Sequence, residues 1–422
     1  MSGLGLCSLL VGLGAIAPQG DTLPWRPIDR ALLEVNPVTG PASDTAERLA
    51  RALEEYTLSG GYDELEACLI AAARHFPQRL VLRSLGRSGG GRELYVVEIG
   101  ESGEHSRSER PALVVVPDLE WDARDAARAT MSVFAELLAE AERDGPLLER
   151  VTWYVMPAPL PDRLESADPP GSVDPTHNFP VNWDPWCSEP PGPYPLSLPE
   201  TRALADLLTR LPRVAGAVLV GERAVDVGRY AVAGVDPQDL DVQGWLSAEV
   251  PRGAASSPRS GGFREFCFAH AGLHVLDLPQ SVSADPTALA GHLRDCARAL
   301  PALSLSPPRF ESLGGGLWQV ELDLTNLGLL PTGSEAARRR GVAGRVTLSW
   351  EGARVRALCV RDPRTGSFEV VAPGNRAPLL AALGSQEARR LRLVVEGQPG
   401  ARLVLTARSP RAGGARLEVP LP

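Results

Sequence analysis

Residues 112–117 read ALVVVP, an apolar run with no polar position in it. A strand with one wet face would alternate, so this run fits a strand covered on both sides. The acidic stretch PDLEWDARD (117–125) follows, then a helical pattern over about 124–142 and the strand VTWYVMPA. After an irregular Pro-rich stretch (157–199) come a helix over 200–210, the strand AGAVLV, a Gly/Ser-rich loop at 251–262, the strand LHVLDL and the helix PTALAGHLRDCARAL. Upstream, SDTAE opens a helix over about 43–56, and YDELEACLIAAARHFP (62–77) is a second, amphipathic one ending at Pro77. RLVLRSLG and ELYVVEIG, joined by RSGGGR, read as a hairpin. Strands alternating with helices predict an α/β domain built on a mixed sheet flanked by helices.

The pattern changes near residue 308. LWQVELDLTNLG, GRVTLSW, RVRALCVR, SFEVVA, RRLRLVVEG, ARLVLTAR and ARLEVPL are short alternating runs broken by Gly, Pro and Asn. They predict a C-terminal all-β sandwich. The expected organisation is a signal peptide at 1–17, a lead segment at 18–58, the α/β domain at 59–305 and the sandwich at 308–422. A chain of 422 residues has the length for two or three such units.

Composition removes several functions. A net charge of -9 argues against phosphate backbones as a partner, so no nucleic acid is expected. The sequence contains no lysine, which excludes Schiff-base chemistry, pyridoxal enzymes and the P-loop lysine together. Cys68, Cys187, Cys267, Cys296 and Cys359 are widely spaced with no CxxC pair, so they define neither a zinc knuckle nor a disulfide framework. The N-terminal run LGLCSLLVGLGAIA is short for a membrane span and suits a signal-peptide core, with AIA at 15–17 as the cleavage site. Export to the periplasm or the outside is the expectation. A cytoplasmic chain follows instead if that run is a buried segment or a misassigned start.

Three local patterns invite chemistry. GRSGG (86–90) has the form G-x-S-x-G, but a nucleophile elbow needs a helix after the serine, and here a strand follows. The plainer reading is a glycine-rich hairpin turn. HVLD (274–277) and HLRD (292–295) have HxxD spacing. Residues three apart on a strand face opposite ways, so the first pair cannot chelate; the second reads as solvated helix surface. PDLEWDARD sits where open α/β sheets bind ligands, at a strand's carboxyl end, yet acidic residues also suit a helix start.

The order of the pieces over about 62–305 resembles the zinc carboxypeptidase (funnelin) family, whose members remove C-terminal residues from peptides. LGRSGGGRELYVVEIG is similar to the family's G-x-S-x-x-G-R hairpin, and RPALVVVPDLEWDA to the strand and loop carrying HxxE. MPAPLPDR is similar to the strand leading into Asn-Pro-Asp-Gly. SVDPTHNFPVNWDP resembles the V-D-x-N-R-N-F-P stretch, YPLSLPETRAL the S-E-P-E-T helix start, and AGLHVLDLPQS the strand bearing the catalytic Glu. The β-rich tail is similar to the accessory sandwich behind some bacterial members.

Residue by residue, the resemblance implies a lost centre. The first zinc ligand falls on Glu120 or Trp121, the second on Ala123 or Arg124 and the third on Gly221 or Glu222. No histidine lies between His105 and His177 or between 178 and 269. The base position falls on Pro279, with Asp277 the nearest acid. The Asn-Arg pair that clamps a substrate carboxylate is Thr176-His177, and Leu160-Pro161-Asp162-Arg163 replaces Asn-Pro-Asp-Gly. No tyrosine follows Tyr230, so the mobile active-site Tyr is missing. The expectation is a catalytically inactive homologue, with no catalytic residue, metal or cofactor, binding a protein or peptide through a remnant pocket of Thr176, His177, Asn178, Glu120 and Glu222. The alternative is an active metallocarboxypeptidase with an atypical site, in which Glu120, Asp118 or Asp122, and Glu222 would hold zinc or a hard divalent cation.

Overall fold

The computed structural model describes residues 42–100, 110–143, 146–166, 171–211, 213–222, 262–334, 345–362, 365–371 and 382–422. The expected signal peptide and nearly all of the Gly/Ser-rich loop at 251–262 lie outside the described residues.

Two helices lead, α1 (Ala42–Ser59) and α2 (Tyr62–His75). The hairpin β1 (Leu80–Arg87) and β2 (Glu93–Ile99) follows, then β3 (Ala112–Pro117). Helix α3 (Ala123–Glu142), the short α4 (Pro146–Arg150) and β4 (Thr152–Val155) come next. Helix α5 (Pro199–Arg210), β5 (Val214–Gly221), α6 (Phe263–Ala269), β6 (His274–Pro279), α7 (Gln280–Ser283) and α8 (Pro286–Ala299) complete the α/β part. Helix α6 was not expected from sequence, and the strand after α4 stops at Val155 rather than running on through Met156 to Ala158.

The sheet order is β1-β2-β4-β3-β5-β6. β1, β2 and β4 pair antiparallel in turn, while β4, β3, β5 and β6 run parallel. The reading of ALVVVP as a strand covered on both faces holds. Leu113 and Val115 pack into one core with Leu69, Phe134 and Leu293, and Val114 and Val116 into a second with Leu204, Phe266 and Phe179. Successive side chains of a strand point to opposite faces, so one apolar run feeds both layers. Helix α3 buries Ala126, Thr130, Val133, Phe134, Leu137 and Ala141, the i, i+3, i+4, i+7 stripe that one covered helix face requires.

The C-terminal strands are β7 (Leu303–Leu305), β8 (Arg309–Gly314), β9 (Leu317–Asn326), β10 (Thr347–Gly352), β11 (Arg354–Arg361), β12 (Phe368–Val371), β13 (Ala388–Glu396), β14 (Arg402–Ser409) and β15 (Gly413–Pro420). They form antiparallel sheets ordered β10-β14-β15 and β12-β11-β13-β9-β7, with β8 also on β9. Leu322, Leu324, Leu391 and Leu393 of the larger sheet share a core with Leu348, Leu403 and Leu405 of the smaller. Their outward neighbours form cross-strand ion pairs such as Arg392–Glu321 and Arg390–Asp323, the wet face of the alternation.

Candidate functional site

The carboxyl ends of β3, β5 and β6 lie side by side. Pro117 pairs with Val220, the Asp118 N–H donates to the Val220 carbonyl at 2.7 Å, and Gly221 pairs with Pro279. Parallel strands bring their carboxyl ends to one edge, and that edge is where α/β folds place ligands.

The side chains found there are engaged in holding the fold. Asp122 is the N-cap of α3, its Oδ1 accepting from the N–H groups of Arg124 at 3.0 Å and Asp125 at 3.1 Å. Asp118 Oδ1 accepts from the Glu120 N–H at 3.1 Å. Glu120 and Glu222 are exposed. The oxygen-rich cluster expected of an atypical metal site does not form. Among the described residues no three His, Cys, Asp or Glu side chains are grouped so as to hold a metal ion. A catalytic zinc needs three protein ligands and an open position, so the described residues do not fit one. Beneath the Asp118 turn, Trp121, Ala158, Pro159 and Leu164 line a cavity of about 10 Å³, room for one water and no more.

At the base position, Pro279 is buried and ends β6. Its acidic neighbour Asp277 is gripped by Arg264 of α6, Nη2 donating to Oδ1 at 2.6 Å and Nη1 to Oδ2 at 3.1 Å. Burial pushes the Asp277 carboxyl above its ordinary value, and the Arg264 charge and hydrogen bonds oppose that push. His292, expected at a solvated surface, corrects that expectation. Its Nε2 is buried, and the residue lies within electrostatic reach of Asp277. Its HxxD partner Asp295 is exposed.

The stretch around His177 is a built turn. Pro175–His177 is a single 3-10 turn capped by Asp174, whose Oδ1 accepts from the Thr176 N–H at 2.9 Å and the Thr176 hydroxyl at 2.8 Å. His177 Nδ1 lies 3.1 Å from Asp174 Oδ2 and 3.0 Å from Thr176 Oγ1. With the Thr176 proton committed to Asp174, Nδ1–H is the donor to the carboxylate, which leaves Nε2 as the acceptor nitrogen of the neutral ring. Burial pushes the Asp174 carboxyl up, but Thr176 and His177 outweigh it and hold the group below its ordinary value.

Asn178 was expected in the remnant pocket, and its amide turns instead to the Pro-rich loop. Nδ2 donates to the Pro191 carbonyl at 2.7 Å and Ser197 Oγ at 2.8 Å, and Oδ1 accepts from the Thr201 hydroxyl at 2.6 Å and the Leu198 N–H at 3.2 Å. It is fully buried, so every one of these bonds replaces water.

The SGGGR hairpin is clamped by two carboxylates, Asp162 and Glu200, which the resemblance placed in family motifs without giving either this role. Asp162 accepts from Ser88 Oγ at 3.0 Å, the Gly90 N–H at 2.8 Å and Arg92 Nη1 at 2.8 Å. Glu200 Oε1 accepts from the Gly89 N–H at 2.8 Å. Ser88 is thus a buried turn residue between two strands, with no helix after it. Asp174 had a usable signal, an Asp just before Pro-Thr at a turn start. Arg264 and Asp162 had none, because their partners are distant in sequence.

Residues 65–225 match the family model described as zinc carboxypeptidase, and residues 302–420 match one described as a domain of unknown function, DUF8731. A comparison with curated proteins found no match. Among solved structures, the chain is similar to carboxypeptidase A from Helicoverpa armigera at 16% identity and TM-score 0.44, covering 56% of this chain and 73% of that one. It is similar to bovine thrombin-activatable fibrinolysis inhibitor, solved with tick carboxypeptidase inhibitor, at 15% identity and TM-score 0.41, covering 56% and 95%. A putative carboxypeptidase from Burkholderia mallei is similar at 14% identity and TM-score 0.40, covering 55% and 66%.

Proposed function

We propose that residues 65–225, which match the zinc carboxypeptidase family model, form a degenerate member of that family that is catalytically inactive and serves as a binding or scaffolding module for a protein or peptide. One observation carries the reading. The side chains at the carboxyl ends of β3, β5 and β6 cap a helix, pair internally or face solvent, and none is grouped with others for a metal.

Peptide hydrolysis on this fold would need a Lewis acid to polarise the carbonyl, a base to take a proton from water and a cation for the developing charge. Asp277 is the nearest acid to the base position, and Arg264 occupies both of its oxygens. His177 stands where the resemblance puts a carboxylate-clamping Arg, and an imidazole lacks the two-pronged guanidinium fork. The groups that remain can bind and orient, and the lack of a grouped ligand set among the described residues supports a role without hydrolysis. Among the described residues no helix is long and apolar enough to cross a membrane. We extend the reading to an exported protein on the N-terminal apolar run.

The test is zinc titration and elemental analysis of the purified chain, with assays for release of C-terminal residues from peptides. No bound zinc at micromolar free metal and no trimming are the expected results. Stoichiometric zinc, or turnover abolished by a chelator, would overturn the reading.

A further inference from the structure

The C-terminal region makes specific contacts with the α/β domain near the start of β6 and the end of α8. Arg411 sits in the turn between β14 and β15, and its guanidinium donates through Nη1 to the Gly272 carbonyl and through Nη2 to the Ala271 carbonyl. Those carbonyls belong to the short connection between α6 and β6, just past the helix's C-cap His270. The Ser334 N–H also reaches the Gly272 carbonyl, at 3.5 Å. No carboxylate pairs with Arg411 among the described residues, so its charge is placed there for the carbonyls. Burial pulls it down to about 10.

A second anchor is apolar. Leu330, four residues past the end of β9, is fully exposed to none of the solvent and belongs to the α/β core with Leu113, Val218 and Leu276. Its N–H donates to the Ala299 carbonyl at 2.7 Å, closing the end of α8. The chain reaches that depth because Gly328 lies against Leu300, where a Cβ would sit 2.0 Å from the carbonyl oxygen. Asn326, fully buried, holds the bend, Nδ2 donating to the Leu330 carbonyl at 2.9 Å and the Gly384 carbonyl at 2.8 Å.

We infer that the region 302–420 is a fixed cap on the α/β domain, completing its core at the pole opposite the candidate site, with Arg411 and Leu330 as the two anchors. Gly216 pairs with His274 at the anchored end of β6, and Gly221 with Pro279 at the site end. At about 3.3 Å per residue the anchors and the site are roughly 16 Å apart along the strands. The cap therefore holds the scaffold from below and leaves the strand carboxyl ends to another partner. This goes beyond the proposed binding role and stands whether or not the domain is catalytic.

Calorimetry on the full chain tests it. The wild-type protein is expected to unfold in one transition, and Arg411→Ala to split it in two, with the lower one down by about 5 °C. Arg416→Ala on the neighbouring strand, an exposed side chain paired with Glu418, should leave the single transition in place. Two transitions in the wild-type chain, or an Arg411→Ala chain that keeps one unshifted transition, would overturn the cap. Should Arg411→Ala fail to fold, hydrogen exchange on the wild-type chain decides. The Leu330 amide opening together with the amides of β3 and β5 supports the cap, and its opening with surface turns refutes it.

Discussion

Arg264 and Asp277 form a two-pronged ion pair between α6 and β6, with side chains 13% and 9% exposed. Such a pair is costly to break from one side, because the partner is left charged and buried. Asp277→Ala is expected to destabilise the protein by about 3–5 kcal/mol in urea unfolding. The double variant Arg264→Met/Asp277→Leu should regain most of that loss. A double variant as unstable as the single one would mean that the pair has partners not accounted for by this geometry.

Asn178 ties the Pro-rich loop to α5 through both ends of its amide. Asn178→Ala leaves the Leu198 N–H without its acceptor and the Pro191 carbonyl with only the Trp183 indole N–H at 3.2 Å, and an unpaired buried donor costs about 1–3 kcal/mol. The expected outcome is a lower urea midpoint and new protease cleavage within residues 182–197. Unchanged cleavage would show that the loop is held by other contacts.

Gly192 makes that same packing possible. Its φ is +85°, and a Cβ there would meet Ser197 Oγ at 2.3 Å and Asn178 Nδ2 at 2.7 Å. Gly192→Ala combines a left-handed backbone with a clash, so a loss of about 2 kcal/mol is expected, with the same loop becoming protease-sensitive. A neutral result would argue that the loop adopts another course in solution.

Asp162 gives the hairpin clamp a pH dependence. Burial pushes its carboxyl up, but Arg92, the Gly90 N–H and Ser88 outweigh it, so it titrates below its ordinary 3.8 when folded. A carboxyl depressed on folding stabilises fully above its unfolded value, and the contribution fades as pH falls through the folded one. Between pH 5 and pH 3 the wild-type chain should therefore lose more stability than Asp162→Asn. At pH 7 the variant should be less stable by about 2 kcal/mol, the range of charge-assisted hydrogen bonds. Equal acid sensitivity in the two chains would shift the burden to Asp174 or other carboxylates.

Much of the architecture was written in local pattern. The unbroken run at 112–117 and the 3.6-residue stripe of α3 specify a covered strand and a one-sided helix, since each period leaves few ways to bury its apolar atoms. The absence of histidine between His105 and His177 and between 178 and 269 was also plain in the sequence alone, because a missing residue type needs no coordinates. Helix α6 was hidden by its brevity, with only Phe263–Ala269 to carry a period.

The roles of the polar residues came from tertiary structure. Arg264 and Asp277 are 13 residues apart, Asp162 and Ser88 are 74, and Arg411 and Gly272 are 139. Nothing local distinguishes an Asp that caps a helix from one that grips a distant Arg or awaits a metal. That choice depends on which donors the packed chain delivers to within about 3 Å, a distance set by how sheets and helices stack. The sequence by itself determined most of the elements that form and where histidine is missing. Only the folded chain decided what the remaining charges hold together.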